Sequence, residues 1–161
     1  MQEADNVSSN QYLTFLLDGE VYGLSISTVR EVLAFTSVTR VPQTPSYVRG
    51  VINLRGNVVP VIDLNTRFHG QQTEKSVDTC IIIVEIIIGS EAVLFGALAD
   101  SVREVLELEH DQIAPPPKLG SRVNAAFIKG MGKKDDEFVI LLDIDKLFSS
   151  EELITVQQAV F

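Results

Sequence analysis

The residues of this chain whose types could do chemistry stand in settings that argue against most of it. The histidines are His69 and His110, each in a polar stretch, His69 before Gly70 and His110 between Glu109 and Asp111. A metal site of neutral imidazoles normally draws on several ligands at short spacing, so both read as solvated surface histidines. Cys80 opens an apolar run and has no histidine close in sequence to activate it. It reads as a small buried hydrophobe, not a nucleophile. Asp63 and Asp143 sit in matching surroundings, and facing carboxylates can split their pKa values to work as acid and base. Each, however, lies between apolar strand residues and a loop, the setting of a strand-end turn cap. Asp100 and Asp111 form no calcium loop. The phosphate cradles G-x-x-x-x-G-K-[ST] and G-x-G-x-x-G are absent from the sequence. Neither an enzyme nor a bound cofactor or metal is expected.

The charge balance narrows the partners. With 13 Lys plus Arg against 22 Asp plus Glu, the net charge is −9. Such a chain is repelled by phosphate backbones and by anionic lipid. There is no Trp and no basic-aromatic interleaving of the kind that holds single-stranded nucleic acid. The single cysteine cannot form an intramolecular disulfide, which suits a reducing compartment. Met1 to Asp5 lacks the basic start of a signal peptide. The most apolar run, Cys80 to Ile88, is shorter than a membrane span and is interrupted by Glu85. The expectation is a cytoplasmic protein with no nucleic-acid partner and no direct membrane insertion.

The elements that must position any site are mostly strands. Tyr12 to Leu17 and Val21 to Leu24 flank Asp18-Gly19, a pair that tolerates positive φ and so forms a hairpin turn. Ile26 to Leu33 reads as a short helical turn leading into a strand, and Val38 to Val41 as another short strand before Pro42 and Pro45. Gly50 to Leu64 holds two β-rich runs joined by Arg55-Gly56-Asn57. Phe68 to Val77 is a polar loop. Cys80 to Ile88 fits a strand covered on both faces. Pro115 to Pro117 is stiff, Phe138 to Ile144 is a strand, and Ser149 to Glu152 is a capping box that opens a terminal helix. The 45% hydrophobic content suits one packed domain of all-β, barrel-like type.

The chain also repeats itself. Tyr22 to Leu33 aligns with Phe95 to Leu106, both ending in Val-Arg-Glu-Val-Leu. Tyr47-Val48-Arg49-Gly50 aligns with Phe127-Ile128-Lys129-Gly130, and Val58 to Leu64 with Phe138 to Ile144. The separations are 102 − 29 = 73 and 127 − 47 = 80 positions, so the second copy is longer by about seven residues. Two copies of one small β unit would bury little core alone and form a further apolar seam when packed together. This divides the domain at 11–148 into subdomains of about 12–77 and 78–148, with a flexible tail at 1–10 and a C-terminal helix at 149–161.

The copies differ at one turn. Copy one has Asn53-Leu54-Arg55-Gly56-Asn57 where copy two has Lys133-Lys134-Asp135-Asp136-Glu137. The second is an ordinary solvated turn. The first could expose Leu54 beside Arg55, a pair of the type found at protein interfaces, or could bury Leu54 and leave Arg55 solvated. On the first alternative, a local basic and apolar patch stands on an acidic body.

The run Tyr47 to Leu64 resembles the signature stretch of CheW-like domains. Val41-Pro42, Asp100-Ser101-Val102 with Val105-Leu106, the proline triplet, and Phe127 to Gly130 before Leu141-Leu142-Asp143 are similar to that family too, in the right order over about residues 11–148. The resemblance implies two SH3-like five-stranded β-barrels related by internal duplication. It also implies a non-catalytic adaptor that couples methyl-accepting chemoreceptors to the histidine kinase CheA. One barrel would dock on the kinase's regulatory domain, and the groove between the barrels would take the receptor's hairpin tip. By matching positions, Val29, Glu31, Gly50, Asn53, Leu54, Arg55, Gly56, Gly96 and Val105 fall where family members meet receptor or kinase. The alternatives are an adaptor of a type IV pilus or other chemosensory-like pathway and an isolated regulatory segment of a CheA-type kinase. From a different class comes a two-barrel ligand-binding protein.

Overall fold

The computed structural model describes residues 10–116 and 125–148. The C-terminal helix expected over 149–161, the tail before residue 10 and the end of the proline triplet lie outside the described residues. Eleven strands are described: β1 (Gln11–Leu17), β2 (Glu20–Ser25), β3 (Val29–Ala34), β4 (Val48–Leu54), β5 (Asn57–Asp63), β6 (Cys80–Ile88), β7 (Glu91–Ala99), β8 (Ser101–Glu107), β9 (Ile113–Ala114), β10 (Ile128–Lys134) and β11 (Glu137–Leu142). Two short helices, α1 (Leu64–His69) and α2 (Ile144–Phe148), follow β5 and β11. The strands form two sheets, in the orders β8-β1-β2-β11-β10-β9 and β3-β6-β7-β5-β4. The fold is all-β in two halves, as expected. One sheet has five strands, and the other gains a sixth in the two-residue β9.

The two copies of the repeat exchange strands. β1 and β2 of the first copy share a sheet with β8, β10 and β11 of the second, while β6 and β7 of the second share a sheet with β3, β4 and β5 of the first. The junctions are equivalent. Leu141 pairs in parallel with Gly23, and Val61, its repeat counterpart, pairs in parallel with Gly96. Both glycines permit close approach. An added Cβ would lie 3.0 Å from Leu141 Cδ2 at Gly23, and 2.8 Å from Ile81 Cγ2 at Gly96. The sheets therefore do not divide the chain near residue 77. One is built from residues 29–99, the other from 11–25 and 101–142. Contiguous subdomains describe the repeat along the sequence, whereas the hydrogen-bonded units are interlocked.

Three apolar clusters follow from strand alternation. The largest lies between the sheets and takes Leu13, Phe15 and Leu24 from one and Ile62, Ile82 and Phe95 from the other. Ile52, Leu54, Val61, Ile81 and Ile83 form a second, and Tyr12, Val21, Val139 and Leu141 are in a third. In β6, Ile82 and Val84 belong to the shared cluster and Ile81 and Ile83 to the second, so this strand is covered on both faces as expected.

Local departures have local causes. The strand expected at Val38–Val41 is only a bridge between Thr39 and Val51, because Pro42 turns the chain away from the sheet. Helix α1 stands where strand end and polar loop were expected to meet. Asp63 accepts from the N–H groups of Asn65 and Thr66, and Gly70 closes the helix in the left-handed region at φ 77°. Six residues are too few for helical periodicity to show.

Candidate protein-docking site

The β4–β5 turn is two residues long. Arg55 and Gly56 have φ of 51° and 89°, the doubly positive geometry that matches the twist of a tight hairpin. Glycine suits it, whereas an arginine there costs about 1–2 kcal/mol of backbone strain. The Asn53 side chain steadies the turn by accepting the Gly56 N–H at 2.8 Å. The turn holds Arg55 out from the sheet, with 70% of its side chain exposed.

Arg55 reaches across to the edge strand β3 and grips Glu31 with both arms of its fork. Nη1 donates to Oε1 at 3.4 Å and Nη2 donates to Oε2. The hydrogen bond and charge of Arg55 hold the Glu31 carboxyl below its ordinary pKa, and Glu31 raises that of Arg55. A surface pair of this kind adds little to stability. What it does is fix the direction of both side chains. In the other sheet the equivalent turn, Asp135-Asp136, has the same backbone, with φ of 52° and 67°. Asp135 replaces the arginine opposite Glu104, so no fork can form there. Arg103 pairs with Glu137 at 3.1 Å instead. The duplicated scaffold thus carries the Arg–Glu fork once among the described residues.

The remaining residues picked out from the sequence separate into groups. Val29 is half-buried against the shared cluster and lies two positions before Glu31, across a bulge in β3. Val105 is 48% exposed on β8, the edge of the other sheet, where it pairs with Leu13. Its repeat counterpart Val32, which was not picked out, is 43% exposed on β3. The alignment already contained that signal. Leu54 is not exposed: it is buried with Ile52 and Val59 in the second cluster. The expected basic and apolar patch is therefore corrected at this turn, where the apolar member is core and the basic member is paired with Glu31. Gly50 and Gly96 are also buried. A Cβ on Gly50 would lie 2.3 Å from the Thr39 carbonyl oxygen, so this glycine lets two backbones touch.

A second set of residues, which the motifs did not identify, anchors the region from inside. Asp63 Oδ2 accepts from Arg49 Nη1 and from Thr73 N–H, both at 2.9 Å. Its Oδ1 accepts from the Thr73 hydroxyl at 2.7 Å. Asn65 Nδ2 donates onward to Thr73 Oγ1 at 2.7 Å and to Asp100 Oδ1 at 3.0 Å. This network joins β4, β5, α1, the loop before β6 and the β7–β8 turn. Asp63 does serve as the expected turn cap. His69 is half-buried instead of solvated, with Nε2 3.5 Å from the Tyr22 hydroxyl, whereas His110 is exposed. Cys80 is buried, and burial with the nearby Asp100 charge pushes its thiol pKa up to about 11. Among the described residues no group of three His, Cys, Asp or Glu could hold a metal ion, and no helix is long and apolar enough to cross a membrane.

Comparison with known proteins finds relatives over most of the chain. Residues 11–152 match the CheW-like domain family. The chain is 36% identical over 153 residues to a chemotaxis protein CheW of Klebsiella aerogenes, covering 95% of this chain and 90% of that one. It is 32% identical over 150 residues to a chemotaxis protein CheW of Treponema pallidum, covering 93% and 88%. The crystal structure of the scaffolding protein TtCheW from Thermoanaerobacter tengcongensis superimposes with a TM-score of 0.79 at 39% identity, covering 89% of this chain and 90% of that one.

Proposed function

The chain belongs to the CheW-like domain family, and from that premise we propose that it is a chemotaxis adaptor that couples methyl-accepting chemoreceptors to a CheA-type histidine kinase and catalyses no reaction itself. Relatives of nearly full length are chemotaxis and scaffolding proteins. The observation that carries the reading is the Arg55–Glu31 fork. It is an exposed, oriented charge pair on a strand edge, with the partly exposed valines Val29 and Val32 on the same strand. A partner helix that lays an apolar stripe on such a rim can be held in register by a carboxylate on the free edges of Arg55 and a basic group on Glu31. The protein would then work in the cytoplasm, recruited to membrane receptors through its partners.

Co-sedimentation with receptor and kinase tests this. Arg55→Ala and Arg55→His should weaken receptor capture at least several-fold while the far-UV spectrum stays that of the folded protein. Undiminished capture by both variants would remove Arg55 from the docking surface. Failure of the unaltered protein to capture either partner would remove the coupling role.

A further inference from the structure

A cavity of about 390 Å³ lies between the loop before β4 and β4 itself. Its charged lining consists of Arg40 and Arg49, with no carboxylate side chain. On a chain with 22 acidic and 13 basic residues, a lining whose charged side chains are both arginines runs against the overall balance. The two arginines are held differently. Arg49 is fixed from behind, because its Nη1 donates to Asp63 Oδ2 at 2.9 Å and to the Thr73 carbonyl at 3.3 Å. Arg40 is exposed and has no hydrogen bond or ion pair among the described residues. Pro42, Pro45 and Val48 supply an apolar wall.

Hydrogen bonds at both ends and within it shape the loop. Thr39 exchanges backbone hydrogen bonds with Val51 at 2.9 and 2.8 Å, anchoring the chain next to Arg40. The Thr44 hydroxyl donates to the Val41 carbonyl at 2.9 Å, and Val48 N–H donates to the Pro45 carbonyl at 3.0 Å. Gln43 is held at φ 61°, a left-handed conformation that favours glycine. Strain of this sort persists where surrounding contacts enforce it, and it concentrates at binding sites. One guanidinium anchored in place, a second with no partner of its own and a short apolar wall suit an oxyanion on a carbon stem.

We infer that this cavity binds an aliphatic carboxylate, with Arg40 and Arg49 on the carboxylate oxygens and the proline wall against the stem. The same chemistry is offered by a free dicarboxylate and by the acidic side chain of a partner protein. Glutarate is the probe, and glutaramide its uncharged counterpart, each titrated into the full ¹⁵N-labelled chain. Glutarate should cause saturable shift changes at residues 40–49 and Gln72, and glutaramide should cause none. Arg40→Gln should weaken glutarate at least about tenfold, the scale of a lost charge-assisted contact. Its melting temperature should not move, because Arg40 has no partner to lose. If Arg40→Gln and added glutarate both reduce capture of kinase or receptor, the natural occupant is that partner's acidic side chain. If capture is unaffected by either while glutarate still binds, the occupant is a free carboxylate. Absence of saturable shifts, equal shifts with glutaramide, or glutarate binding unchanged by Arg40→Gln overturns the inference.

Discussion

Arg49 donates a 2.9 Å hydrogen bond to Asp63, and the pair stands where the second copy of the repeat has Lys129 and Asp143. The backbone around the two aspartates is the same. Asp63 N–H donates to the Tyr47 carbonyl at 2.7 Å, and Asp143 N–H donates to the Phe127 carbonyl at 2.8 Å. The side chains have diverged. Asp63 accepts from Arg49, Asn65, Thr66 and both donors of Thr73. Asp143 accepts from Lys146 N–H at 3.2 Å, its one side-chain bond among the described residues. Both copies hold the cap, and in the first the same aspartate is also the hub that fixes Arg49 and the loop before β6.

Asp63→Ala should therefore cost far more than Asp143→Ala. The first leaves a mostly buried guanidinium and Thr73 without their acceptor, a loss on the order of 3–5 kcal/mol. The second removes one cap bond, about 1 kcal/mol. Urea denaturation of the two variants checks the ranking, and equal midpoints would contradict it.

Gly50→Ala and Gly130→Ala offer a second contrast within the repeat. A Cβ at Gly50, where φ is 150°, would press on the Thr39 carbonyl oxygen at 2.3 Å. At Gly130 the nearest atoms are Ile113 Cγ2 at 2.9 Å and the Ala114 carbonyl oxygen at 3.0 Å, on a strand of two residues that can shift. Gly50→Ala should destabilise by more than about 2 kcal/mol, at the upper end of overpacking costs, and Gly130→Ala by about 1 kcal/mol. Thermal melts should rank the two variants in that order. A Gly50→Ala melt matching the unaltered protein would show that the Thr39 contact yields freely.

Much of this was legible in the residues, and what was not has a physical reason. Apolar alternation reports which face of a strand is buried, so β6 and the shared core could be read directly. The same alternation places Leu54 in step with Ile52 and Gly50, and it could have settled that Leu54 is core. Alternation does not report which strand is the neighbour. Pairing between β5 and β7, or β2 and β11, is a property of the assembled sheets, and the exchange between copies is invisible until strands are placed. The Arg49–Asp63–Thr73 hub escaped for a related reason. Its members lie 14 and 10 positions apart and meet only through tertiary structure.

Glu31 should titrate below the ordinary glutamate value of 4.5, because Arg55 favours its charged form. A lowered carboxylate pKa means the fork is complete above the unfolded-state pKa and is lost as pH falls through the folded value. Following the Glu31 carboxyl by NMR should show this displacement in the unaltered protein and its loss in Arg55→Ala. An identical midpoint in the two proteins would mean that the fork does not persist in solution.

Cys80 should be inert in the folded protein. It is 7% exposed at the start of β6, and burial first, then the Asp100 charge, lifts its thiol to about 11. Only the thiolate attacks a disulfide reagent. At pH 8 a group with that pKa is ionised to roughly one part in a thousand, against about a quarter for an ordinary cysteine. Accessibility lowers the rate further, since the reagent must reach a strand shared by two apolar clusters. Reaction with an aromatic disulfide should therefore be slower than for a free thiol by at least about a hundredfold, and should become fast in denaturant. If native and unfolded rates were similar, β6 would have to open readily, and the interlocking of the two repeat copies around it would be weaker than the packing implies.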